Sequence, residues 1–71
     1  MAGLDDLAAV LFAAATARLE EAHDAAVAGQ RPGRPMAAMR GNAEAVTEKC
    51  AEARILVEAA VVVRGRDHGQ D

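Results

Sequence analysis

Leu4, Leu7, Ala8, Leu11, Ala15, Leu19, Ala22 and Ala26 recur at steps of three and four, the spacing of one face of an α-helix. This stripe predicts a helix over residues 4–29. Gly3 precedes it, and Asp5 and Asp6 fall in its first turn, where the helix dipole favours anions. Gly29 suits the position just past a helix end, where a left-handed residue is favoured. A second stripe, Met36, Met39, Ala43, Val46, Cys50, Ala53, Val57, Ala60 and Val61, predicts a helix over residues 35–64. Pro35 suits the first turn of that helix, where its missing N–H leaves no bond unmade. Gly41-Asn42 is its weakest point, since Asn42 is a good N-cap and residues 36–41 would then form a separate turn. The stripe crosses this dipeptide unbroken, so one helix is expected. Between the helices, Gln30-Arg31-Pro32-Gly33-Arg34-Pro35 reads as a hinge. The tail, residues 65–71, is expected to fray.

The run Ile55-Leu56-Val57-Glu58-Ala59-Ala60-Val61-Val62-Val63 breaks the amphipathic pattern. Eight of its nine residues are apolar. A helix that is apolar all round must be covered on several sides. Its valines also suit a strand, but a single strand has no partner within this chain and would leave its edges unpaired. Two long helices joined by a short hinge give an antiparallel hairpin. The fold expectation is all-α: a single domain, residues 1–71, forming a two-helix hairpin that self-associates into a four-helix bundle. With the hinge at its midpoint, residues whose numbers sum to about 66 should lie side by side. This sets Leu4 beside Val62, Phe12 beside Arg54 and Leu19 beside Thr47. Arg18 is then expected to reach Glu48, and the Arg54 stem to cover Phe12.

Both helices carry their largest apolar residues at the end far from the hinge. Burial is therefore expected to concentrate there, and the surplus to form an interface of Leu4, Leu7, Val10, Leu11, Phe12, Ile55, Leu56, Val62 and Val63. Composition sharpens the need for it. The core material is nineteen Ala, seven Val, five Leu, three Met, one Ile and one Phe. A chain of 71 residues buries only ~60% of its extended-chain surface, and small domains need disulfides, metals or oligomerisation as support. Cys50 is the lone cysteine, so no internal disulfide forms, and its place on the stripe suggests core filler. Self-association remains.

Charge and motifs exclude more than they assign. A net charge of −3 argues against non-specific nucleic-acid binding, which needs many cations to displace counterions. No apolar stretch reaches the ~18 residues of a membrane span, and the acidic start is unlike a signal peptide. The single thiol fits a reducing, cytoplasmic setting, and the Ala, Arg, Val and Gly bias suggests a GC-rich bacterial or phage source. There is no Ser, Tyr or Trp, and no Gly-rich phosphate loop, so no catalytic constellation or cofactor site is expected and the chain reads as a non-enzyme.

Two short patterns offer other chemistry. Glu20-x-x-His23 resembles the Glu-x-x-His element of di-iron helical bundles, which implies a metal site completed by a carboxylate such as Glu44 or Glu48. Its two residues lie away from the stripe, so solvated surface charge is the plainer reading. Gly33-Arg34-Pro35 is similar to the core tripeptide of the AT-hook, which implies minor-groove DNA contacts through Arg31, Arg34 and Arg40. The flanking cations of a hook are missing, and a Pro/Gly hinge with solubilising arginines explains the same residues. Met36 and Met39 beside the hinge suit irregular packing. The function expected is a small interaction module (adaptor, inhibitor or assembly subunit) whose partners are its own copy and another protein.

Overall fold

The computed structural model describes the backbone of residues 3–68 and the side chains of residues 3–66. Two helices, α1 (Leu4–Gly29) and α2 (Met36–His68), pack against each other as a hairpin. Gly3 is the N-cap of α1 in extended conformation. It has no side chain to offer, but its N–H donates to Asp6 Oδ2 at 3.2 Å, the return half of a capping box. α1 ends without a left-handed residue. Gly29 lies inside the helix, Gln30 is the C-cap at φ −80°, and its N–H donates to Val27 O at 3.0 Å. The left-handed residue is Gly33 instead, at φ 73°. Pro32-Gly33 in that order fits the central pair of a type II turn. The Pro35 carbonyl accepts the first helical bond of α2, from Met39 N–H at 3.0 Å.

α2 runs unbroken through Gly41-Asn42 and continues to His68, four residues past the expected end. Gly65 is therefore helical rather than the start of a frayed tail. Residues 69–71 lie outside the described residues.

The expected register is displaced by about one turn. Arg64 pairs with Asp5 at 2.8 Å, Arg18 lies 3.9 Å from Glu52, and Asn42 Cβ is 3.5 Å from where a side chain on Gly29 would begin. Neighbouring numbers thus sum to 69–71 rather than 66. The reason is the hinge, which does not fold symmetrically: α2's first turn and a half precede Asn42, the residue that meets the end of α1. Arg18 consequently meets Glu21 and Glu52 instead of Glu48, and the Arg54 guanidinium pairs with Glu58 on its own helix at 3.5 Å.

The seam between the helices is made of small residues. Among the described residues, Ala8, Ala15 and Ala22 of α1, and Ala53 and Ala60 of α2, are the buried side chains. They recur every seven residues, and their methyls let two helices approach closely. Leu11, Ala14, Arg18 and Ala25 flank the seam half-buried on α1; Val46, Lys49, Leu56 and Val63 do so on α2. All five buried alanines lie on the expected stripes, but the seam takes the small members of those stripes and leaves several large ones outside. Leu4, Leu7, Leu19, Met36, Met39 and Val61 are exposed, and so is Cys50, which is not core filler. Burial is spread along the whole hairpin rather than concentrated at its open end. Close approach decides this: leucines and methionines at the centre of the seam would hold the backbones apart.

Candidate functional site: two faces of the hairpin

The hairpin is a slab with extents of 57 × 18 × 11 Å. Residues seven apart on either helix share a row along it, and the cross-helix contacts show which rows meet. Asp5 pairs with Arg64, so the row Asp5, Phe12, Leu19, Ala26 borders the row Ala43, Cys50, Val57, Arg64. At the hinge end of these same rows, Ala26 and Ala43 line a groove of about 230 Å³ with Met39 and Val46. Phe12 and Leu19 are half exposed, at 52% and 51%. The next rows outward hold Ala9, Thr16 and His23 on α1 and Arg40, Thr47, Arg54 and Val61 on α2. Both threonine hydroxyls donate at 3.0 Å to carbonyls one turn back, Phe12 O and Ala43 O. Among the described residues the four rows of this face, the Phe12 face, hold one carboxylate, Asp5, which is paired with Arg64, together with Arg40 and Arg54; Glu20 stands at its outer rim and Glu58 pairs with Arg54.

The opposite face differs in charge. Arg18 Nε lies 2.6 Å from Glu21 Oε1 and 3.9 Å from Glu52 Oε1, and Lys49 Nζ is 3.6 Å from Glu52 Oε1. The rows of Glu21 and Glu52 therefore border each other here. A groove of about 280 Å³ opens between Arg18, Glu52, Ile55 and Leu56. Leu7, Val10, Ile55 and Val62 continue this face toward the open end, while Asp24 and Glu48 add charge nearer the hinge. It is apolar at one end and acidic at the other.

Of the residues expected at an interface, Leu4, Leu7, Val10, Phe12, Ile55 and Val62 are exposed and Leu11, Leu56 and Val63 half-buried. They do not form one patch: Phe12 belongs to one face, and Val10, Ile55 and Val62 to the other. The hydropathy pattern missed Leu19 and Cys50 as surface, because their spacing assigned them to the core; Val57, on the same stripe, is half-buried. The sign available in the sequence was the seven-residue repeat of alanine at 8, 15 and 22.

The candidate metal residues do not converge. Glu20 and His23 lie at the outer rim of α1 on the Phe12 side, and the nearest acid to the His23 ring is its neighbour Asp24, at 3.4 Å. Glu48 lies on α2 toward the opposite face. Among the described residues no group of three or more His, Cys, Asp or Glu stands together as a ligand set. Arg31 and Arg40 are exposed and Arg34 half-buried around the hinge. Among the described residues no helix is long and apolar enough to cross a membrane.

No protein-family model, curated protein or solved structure matches the chain.

Proposed function

We propose that this chain is a non-enzymatic interaction module, an adaptor, inhibitor or assembly subunit, whose first partner is its own copy in a four-helix bundle. The observation that carries this reading is surface. The hairpin exposes 5235 Å² at a mass of 7.3 kDa, whereas a compact monomer of that mass exposes about 4,200 Å². Its radius of gyration is 16.4 Å against about 11 Å for a compact domain of this length. Large apolar residues are part of it: Leu4, Leu7, Val10, Phe12, Ile55, Val61 and Val62 stand exposed toward the open end, and Leu19, Val27, Met36 and Met39 nearer the hinge. A single seam of alanines removes little area, and association supplies the burial that the hairpin lacks. A chain with one exposed thiol suits a reducing compartment such as the cytoplasm.

Sedimentation velocity across micromolar concentrations tests this. The expected result is a species of twice the 7.3 kDa chain mass or a larger multiple. A chain that stays monomeric and still melts cooperatively overturns the reading. Val62→Glu and Leu56→Glu, both at the open end, then probe which residues take part.

A further inference from the structure

We propose that the hairpins stack face to back: the Phe12 face of one copy sits on the Ile55 face of the next, hinges on the same side, and the contact repeats from copy to copy instead of closing as a two-fold pair. The proposal rests on the self-association reading above and adds the symmetry of the contact.

Charge carries it. The four rows of the Phe12 face hold Arg40, Arg54 and Arg64 against the single carboxylate of Asp5, which Arg64 already pairs. The Ile55 face holds Glu21, Asp24, Glu48 and Glu52, of which Glu21 and Glu52 are answered by Arg18 and Lys49. Arg40 and Arg54 are therefore the excess on one face, and Asp24 and Glu48 the excess on the other. Arg54 has Glu58 at 3.5 Å and Asp24 has His23 at 3.4 Å, but both pairs are more than half exposed, and exposed pairs hold their partners weakly. Glu20, Glu44 and Glu58 stand in the outermost rows opposite the seam, at the edges of the slab. A two-fold pair sets a face against itself. Through the Phe12 face it opposes arginines to arginines, and through the Ile55 face carboxylates to carboxylates. Seating one face on the other opposes the two signs instead. Position agrees, because Glu48 lies between Arg40 and Arg54 along α2.

Apolar surface points the same way. Both faces expose large side chains toward the open end, Phe12 and Val61 on one, Leu7, Val10, Ile55 and Val62 on the other. A two-fold pair covers one set and leaves the other in water, whereas a stack covers both in every interior copy. Each face of a slab 57 Å long and 18 Å wide is large enough for the ~800 Å² that a stable interface takes from each partner. A contact between two different surfaces does not close on itself as a pair, so growth continues.

Mixing two variants tests this. Leu19→Glu spoils the Phe12 face and Ile55→Glu the other, both at positions more than half exposed in the hairpin. Alone, each should associate about tenfold or more weaker than wild type. Mixed, the intact Ile55 face of the first meets the intact Phe12 face of the second, and a 1:1 complex should form and grow no further. Sedimentation velocity reads the masses, and circular dichroism checks that the helices persist. A variant that still associates as wild type overturns the proposal, as does a mixture that stays monomeric. If a variant fails to fold, the wild-type chain decides. Raising sodium chloride from about 0.1 M to about 1 M shortens the screening length from ~10 Å to ~3 Å and should weaken stacking about threefold or more. Association that salt strengthens or leaves unchanged overturns the proposal. A wild-type chain that never associates is a separate outcome, which removes the self-association reading as well.

Discussion

At the scale of single residues, the seam and its flanks make opposite predictions about side-chain size. Ala15 is 2% exposed against α2. Ala15→Leu forces extra methylenes into a close contact, which typically costs ~1–3 kcal/mol. In a domain of this length each kcal/mol moves the melting temperature by roughly 4–8 °C. Ala13→Leu, on the exposed side of the same helix, should move it little. If thermal melts rank the two the other way, the alanine seam is not the close contact. Phe12 gives the converse. A fully buried Phe costs ~3–5 kcal/mol on truncation, but Phe12 is half exposed in the hairpin. Phe12→Ala should therefore leave the dilute hairpin's helicity close to wild type and act mainly on the dimer dissociation constant. Equal loss of helicity at every concentration would place Phe12 in the hairpin's own core instead. Asn42 is a third case. Its Nδ2 is enclosed near Gly29 without a hydrogen-bond partner. Asn42→Ala removes that stranded donor and improves helix propensity, so it should raise the melting temperature by a few degrees.

At the scale of elements, the two helices and their antiparallel pairing were legible because the punctuation is strong: Gly3 with two acids at one start, and four Pro or Gly within residues 29–35. The faces were legible only in part: every buried alanine lies on an expected stripe, but so do exposed leucines and methionines. α1 is so rich in alanine that Ala8, Ala9, Ala13, Ala14, Ala15 and Ala17 surround the helix, and hydropathy gives Leu7 and Leu19 more weight than the alanines that do the packing. The register was hidden for a different reason, since the number of hinge residues does not say how they fold back beside α2. The stripe that crosses Gly41 is exposed at Met36 and Met39, in the hinge-proximal turn, so burial does not explain the unbroken helix there. The explanation is helical propagation from both sides across one exposed glycine with nothing within 4 Å of its missing side chain. Gly41→Ala should accordingly stabilise by about 0.5–1 kcal/mol. Gly33→Ala, at φ 73°, should destabilise by about 1–2 kcal/mol. Melts of the two variants that shift in the same direction would contradict either the continuity of α2 or the turn at Gly33.

At the scale of the whole molecule, the alanine seam has a consequence for alignment. Ala8, Ala15 and Ala22 meet a helix that presents Ala53 and Ala60 at the same interval. Slide one helix by seven residues, about 10 Å, in the sense that brings Ala15 to Ala60 and Ala22 to Ala53, and methyl still falls on methyl. A ladder with identical rungs keeps no record of which rung is which. That record is held elsewhere, in the Asp5–Arg64 clasp at one end and the short span of residues 30–35 at the other. The clasp is an exposed ion pair, a class that contributes at most about 1 kcal/mol, so the hinge does most of the counting. Lengthening it with a flexible insert after Gly33 should let slipped alignments populate while helix content stays constant. Distances between spin labels on the two helices, set well apart along the hairpin axis, would then broaden into maxima about 10 Å apart. The same hinge that joins the helices is what tells them where to stop.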